Sequence, residues 1–191
     1  MSEEIRKNPL GEESTHKLLR QFAIPSIVAM LVSSLYNIVD QFFIGRSVGE
    51  LGNAATNISF PLSISCVAIA LLFGIGGASA FNIASGRGEK EKAVFYLGNA
   101  AAMLVICGMV LGVVTELFLE PMLRFFGSPE DVLGYAKEYT RIIALGFPLL
   151  ILTTGGGHLI RADGRPKVAM VCNLVGAVIN TGLDALFVFK L

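Results

Sequence analysis

Charged residues along this chain are bunched, and the stretches between the bunches carry almost none. Uncharged runs extend over Gln21–Val39, Leu51–Gly86, Ala93–Thr115, Ile142–Ile160 and Val168–Leu183. Each is close to or longer than the roughly 18 apolar residues that mark a membrane helix. The pattern therefore predicts five spans, over about 21–45, 53–85, 93–117, 133–159 and 167–190. The second run has polar ends (Asn53, Thr56, Asn57 and Asn82, Ser85) and no turn in its middle, so one long or tilted helix explains it better than two. Pro61 is placed to bend it.

The punctuation between the runs fits helices. Ser14 or Thr15 can cap the first, which carries Pro25 in an early turn where a missing N–H costs least. Ser128 with Asp131 reads as a capping box for the fourth, and Pro129 at the first helical position is an equally good start signal. Pro148, in the middle of the fourth run, should kink it and leave Gly155–Gly157 to loosen the end beyond. A defect of that kind needs tight neighbours to hide it from lipid. Gly108 with Gly112, and the cluster Gly74, Gly76, Gly77 and Ala78, offer small surfaces for close helix contact. The segment Leu119–Asp131 mixes Leu119, Met122, Leu123, Phe125 and Phe126 with Glu120 and Arg124, the pattern of a helix lying along a membrane interface.

Composition agrees with the pattern. Hydrophobic residues make up 53% and charged residues 16%, and mean hydropathy is +0.67, whereas a soluble domain carries roughly 25% charge. Low charge and high apolar content exclude a disordered chain and a coiled coil, and three cysteines exclude a disulfide-stapled secreted domain. Cys66, Cys107 and Cys172 lie inside apolar runs without CxxC spacing and read as reduced core thiols. The first 16 residues are too mixed in charge for a signal peptide and read as a cytoplasmic segment. A net charge of zero gives no nucleic-acid footprint.

Lys and Arg settle the expected orientation. With the N-terminus inside, ten of them fall on the inner side and five on the outer side (Arg46, Arg124, Lys137, Arg141 and Lys190). The N-terminus is expected in the cytoplasm of a multi-pass protein of the cell membrane. Five spans then put the other terminus outside, and the chain stops close behind the fifth apolar run, as though truncated before a sixth span.

No enzyme constellation appears. There is no GxxxxGK[ST], and the glycine-rich stretches sit inside apolar runs instead of following a strand. His16 and His158 are the only imidazoles and neither has a partner at metal-ligand spacing. A His158–Asp163 acid–base pair is conceivable, but Asp163 sits in a basic turn with Arg161, Arg165 and Lys167. The chain reads as a non-enzyme, with no metal and no cofactor.

Asp40 and Asp184 are the informative residues, each closing an otherwise uncharged run. At about 1.5 Å per residue, Asp40 lies some 30 Å along its helix from Arg20, and Asp184 some 26 Å from Lys167. Both reach similar depth in the outer half of the bilayer. One reading is two interfacial acids solvated among headgroups, with Arg46 near Asp40. The other gains from their neighbours. Tyr36 stands one turn inward of Asp40 and Asn180 one turn inward of Asp184, each pair on one helix face, with Asn37 and Thr181 adjacent. Six oxygen-bearing groups on two helices would form a hydrated acidic cavity, where a carboxylate is costly when charged and so takes up a proton or holds a cation readily.

Three segments carry a family resemblance. Tyr36-Asn-Ile-Val-Asp-Gln-Phe-Phe-Ile-Gly-Arg46, Ile160-Arg-Ala-Asp-Gly-Arg-Pro-Lys-Val-Ala-Met170 and Asn180-Thr-Gly-Leu-Asp-Ala-Leu-Phe187 resemble the first-span, fourth-to-fifth-span and fifth-span motifs of the multidrug and toxic compound extrusion (MATE) family. The likeness runs from about Lys17 to Leu191. It implies an all-α integral membrane protein, a bundle of five (to six) transmembrane helices forming one lobe, the N-terminal one, of a two-lobe transporter. It implies a proton- or sodium-coupled antiporter exporting amphipathic, mostly cationic drugs, with Asp40, Asn180 and Asp184 aligned with the ion site and Tyr36 added from its place one turn away. No Lys or Arg lies well inside a predicted span, which favours cationic or neutral cargo. The partners expected are that cargo, the coupling cation, membrane lipid, and a C-terminal lobe or second chain. A non-transporting membrane scaffold or degenerate half-transporter, and a polysaccharide or lipid flippase of the same superfamily, are the rival readings.

Overall fold

The computed structural model describes residues 14–47 and 49–190. Those residues form six helices: α1 (Thr15–Ser47), α2 (Glu50–Gly86), α3 (Lys90–Leu117), the short α4 (Leu119–Phe125), α5 (Glu130–Ala162) and α6 (Pro166–Lys190). All except α4 are long and apolar enough to cross a membrane. The long second run is a single helix of 37 residues, continuous through Pro61. The outer face of α5 illustrates the common surface pattern. Its Ile142, Leu145 and Leu149 are largely exposed, which is tolerable only if the solvent is hydrocarbon.

Helix ends are set by short reversals. After α2 and α5 the backbone turns left-handed at Gly88 and Gly164, each at φ 77°, where a side chain would be strained. At the second, the Gly164 N–H donates to Arg161 O and the Arg165 N–H to Ile160 O. This closure satisfies two end carbonyls and fixes Arg161 in the last turn of α5. The start of α5 departs from the sequence expectation. Pro129 is the residue before the helix instead of its first member, and no side chain caps the N-terminus. The Ser128 hydroxyl donates to Pro129 O, so no capping box forms. Glu130 and Asp131 in the first turn supply the negative charge a helix start favours.

Three helices make the core. α2, α3 and α5 pack on one another, with Leu62, Cys66 and Ala70 from α2, Ala100 and Leu104 from α3, and Phe147 and Ile151 from α5 buried between them. In lipid there is no hydrophobic force to hold helices together, so close van der Waals contact has to do it. The glycines permit that contact. A Cβ at Gly108 would stand 2.5 Å from Pro148 Cα, and one at Gly74 would stand 2.7 Å from Gly155 Cα. Gly77 and Gly112 are closed in the same way, while Gly76 faces open space. Pro148 thus has the tight neighbour expected of it, and α5 continues unbroken through it. Gly155 corrects the expectation of a loosened segment, since it sits at one of the tightest crossings. Ser59 and Thr140, both fully buried, share a hydrogen bond of 2.7 Å that ties α2 to α5.

α4 lies across one end of this core. Leu119 and Leu123 are buried against Ala55, Val132, Leu133 and Ala136, and Phe125 on its other side is almost wholly exposed. Its charged side chains clamp it to α5: Glu120 accepts from Lys137 and, within α4, from Arg124 at 3.0 Å, and Arg124 also meets Glu130, while beside them Arg141 of α5 meets Glu116 of α3 at 2.7 Å. Lys137 foremost, then Arg124, hold the Glu120 carboxyl below its ordinary value. A depressed carboxylate stabilises the fold above its unfolded value and loses that contribution as pH falls through the lowered one. The protection factors of the α4 amides against hydrogen exchange, which correct for the intrinsic pH dependence, should accordingly fall below about pH 4. Protection of α4 that stays flat from neutrality into that acid range would show that hydrophobic contact alone holds the helix.

α1 and α6 form a separate pair. They pack along each other, with small buried residues Ala29 and Ala177 on them, and touch the three-helix core at few places.

Candidate functional site

The two helices that the sequence singled out are therefore neighbours. α1 carries Tyr36 and Asp40, and α6 carries Asn180 and Asp184. The side chains of Tyr36, Asp40 and Asp184 lie outside the described residues. Asn180 is half-buried, and its Oδ1 is fully buried without a hydrogen-bond partner among the described residues. A buried carbonyl oxygen with no donor is costly, and it is suited to a cation or a protonated group. Asn37, in contrast, is exposed and donates its amide N–H to Ser33 O at 2.7 Å, which holds the side chain along its own helix.

Asn180 opens on a cleft of about 430 Å³ between α1, α5 and α6. Sequence reasoning missed most of its wall. Thr154, His158 and Arg161 follow one another along α5 at intervals of four and three, and Asn173, Ala177 and Asn180 do the same along α6. Ser33 of α1 also lines it. The signal was available as a polar stripe of helical period within apolar runs, but His158 and Arg161 read as a span margin and a loop. The imagined His158–Asp163 pair is not formed; Asp163 accepts from Arg165 at 3.1 Å. Cys172 lines the same cleft and is exposed, and Cys107 is half-buried, so of the three free thiols only Cys66 belongs to the core. Among the described residues no group of His, Cys, Asp and Glu is arranged to hold a metal ion.

Comparison with known proteins agrees with this architecture. The MatE family model matches residues 25–186. Multidrug export protein MepA of Staphylococcus haemolyticus is 26% identical over 180 residues, which cover 94% of this chain and 40% of MepA. An FAD transporter of Shewanella oneidensis is 25% identical over 173 residues, 91% of this chain and 38% of the transporter. The crystal structure of MATE in complex with MaD3S superposes with a TM-score of 0.88 at 24% identity, covering 95% of this chain and 41% of that one. The chain thus spans about two fifths of the length of the curated relatives it matches.

Proposed function

The chain belongs to the MatE family, and from that premise we propose that it is the N-terminal lobe of a proton- or sodium-coupled antiporter that exports amphipathic small molecules, cationic or neutral, across the cell membrane. The observation that carries the reading is the buried Asn180 Oδ1, without a partner among the described residues, on the helix pair that bears Asp40 and Asp184. An acceptor in that position is half of an ion shell, and Asp40 and Asp184, with Tyr36, complete it in this reading. A cation arriving there neutralises the pair, and a drier, more closed arrangement of α1 and α6 against the core becomes less costly. The loose seating of that pair on the α2–α3–α5 unit supports such a movement. Transport of this kind needs no catalytic group and no bound cofactor beyond the coupling ion. A second lobe, from the same or another chain, supplies the opposite wall.

Family membership does not fix the polarity of the cargo, because the relatives include a protein named for multidrug export and one named for FAD transport. The test of the function is gradient-driven efflux by variants in which Asp40 or Asp184 is replaced by Asn. Loss of efflux with normal membrane insertion is expected, and export at the unmodified rate by either variant places the ion site elsewhere.

Orientation follows from the excess of Lys and Arg in the loops around 87–92 and 161–167. With the N-terminus in the cytoplasm, cysteines introduced at Lys90 and Arg165 should resist a membrane-impermeant thiol reagent in intact cells and react in inverted vesicles. Labelling of either in intact cells reverses the topology.

A further inference from the structure

We propose that the basic mouth of the α1/α5/α6 cleft is an anion subsite, in which Arg161, with His158 one turn away, receives a carboxylate or phosphate group carried by an amphipathic ligand. The proposal rests on reading the cleft as a path for transported molecules and specifies one half of the ligand.

Arg161 and His158 both line the cleft and both are half-buried. The guanidinium does not extend away from the helix. It folds back along α5 over Gly157, with Nη1 3.7 Å from the position a Cβ would occupy there. That is ordinary contact distance, and the charge is held against the wall of the cleft. The nearest acid in sequence, Asp163, is taken by Arg165, and none of the described residues lining the cleft is an acid. At the other end of the bundle the cations Arg124, Lys137 and Arg141 each have a carboxylate partner. The two basic groups at the mouth of the cleft are thus available, and Thr154 and Asn173 add donors from α5 and from the facing α6.

The cleft is therefore polarised along its length. Among the described residues, its deep end presents an acceptor, Asn180 Oδ1, that lacks a donor, and its mouth presents a guanidinium with no carboxylate in the wall. A planar guanidinium meets a carboxylate or phosphate with two parallel hydrogen bonds, stronger and more directional than neutral ones. The complementary ligand has a positive or hydrogen-bond-donating part and an acidic group at separate ends of an apolar body. This refines the expectation of purely cationic or neutral cargo, which arose because Arg161 read as a loop residue outside the span.

The experiment is equilibrium binding to the complete two-lobe transporter that contains this chain, purified into phosphatidylcholine nanodiscs and followed by fluorescence anisotropy, with two dyes: a rhodamine bearing a free carboxylate, and its methyl ester. They share the ring cation and differ in the acid. The wild-type chain should bind the carboxylate dye about tenfold more tightly than the ester, the scale of one charge-assisted contact. Arg161→Gln should abolish that preference and leave ester affinity within about twofold, while Arg161→Lys, which keeps the charge but not the planar fork, should retain part of it. His158→Gln should reduce the preference by a smaller factor. Unaltered carboxylate binding by Arg161→Gln overturns the proposal, and so does an equal loss for both dyes, which is a structural effect. In either case a dye still bound by the wild-type chain leaves the export reading standing, whereas failure of the wild-type chain to bind either dye removes both. Mixing phosphatidylglycerol into the nanodiscs separates the two sources of the anion. A preference that persists assigns the acid to cargo, and one that collapses in the wild-type chain but leaves Arg161→Gln unaffected assigns it to a lipid headgroup.

Discussion

Alanine at Gly108 is expected to weaken the contact between α3 and α5 and lower the stability of the bundle, whereas alanine at Gly76 should leave the chain as stable as before or slightly more so. In helix preference alone the two changes are equal, and each favours alanine by about 1 kcal/mol. Space decides the sign. At Gly108 the new Cβ would meet Pro148 Cα at 2.5 Å and Pro148 N at 3.0 Å, which are backbone atoms that cannot turn aside. The helices have to separate, and over-packing of a close contact costs about 1–3 kcal/mol even where side chains can adjust. At Gly76 nothing lies within 4 Å. Gly74, whose Cβ would meet the Gly155 backbone at 2.7 Å and 2.8 Å, should behave like Gly108. Thermal unfolding in detergent, followed by loss of monodisperse protein, checks the pair directly. Equal midpoints for the Gly108 and Gly76 variants would show that the α3–α5 contact is more open than described here.

Much of this architecture was legible in the sequence because the bilayer imposes a simple rule, that every backbone group be satisfied within the helix while side chains stay apolar. Run lengths alone located the five spans, and the long second run is one helix because no turn residues interrupt it. Glycine spacing found the contact surfaces at Gly108, Gly112, Gly74 and Gly77. It could not tell Gly76 from these, since which side of a helix meets a neighbour depends on how three helices are arranged, and that arrangement is not a local property. The same limit explains Gly155. Beside Pro148 it read as a loosening element, yet its lack of a side chain is what lets α2 approach.

The candidate site was legible in part. Single acids in apolar runs are conspicuous because charge in a membrane is expensive, so Asp40 and Asp184 drew attention, and the helices that carry them are neighbours in the fold. Arg161 and His158 were not conspicuous, since basic residues at a span's end ordinarily reach the interface and are solvated there. Only the folded-back guanidinium over Gly157 shows that this one stays against the cleft. Thr154, His158 and Arg161 fall on one helix face, but polar residues that recur at helical spacing acquire meaning only when a facing helix, here α6 with Asn173 and Asn180, closes the other side.

The largest functional effect is expected from neutralising the acids of the α1–α6 pair. Asp40→Asn and Asp184→Asn retain side-chain shape, so insertion and helix packing should be unchanged. In the proposed mechanism they remove the charge that attracts the coupling ion and the change in charge that makes closure conditional on its binding. A ligand shifts a conformational equilibrium only through its differential affinity for the two states, and without the carboxylate that difference vanishes. Cargo binding should survive, because the described wall of the cleft (Ser33, Thr154, His158, Arg161, Asn173) is untouched. Coupling should not. The decisive measurement is ion counterflow in proteoliposomes of the complete two-lobe transporter: a cationic amphipathic dye is driven out by dilution, and movement of protons or sodium in the opposite direction is recorded. The wild-type protein should move ions against the dye, and either Asn variant should fall to the background of protein-free vesicles while still binding the dye. Ion counterflow at the wild-type rate in either variant would contradict the assignment of the coupling site to Asp40 and Asp184 of α1 and α6.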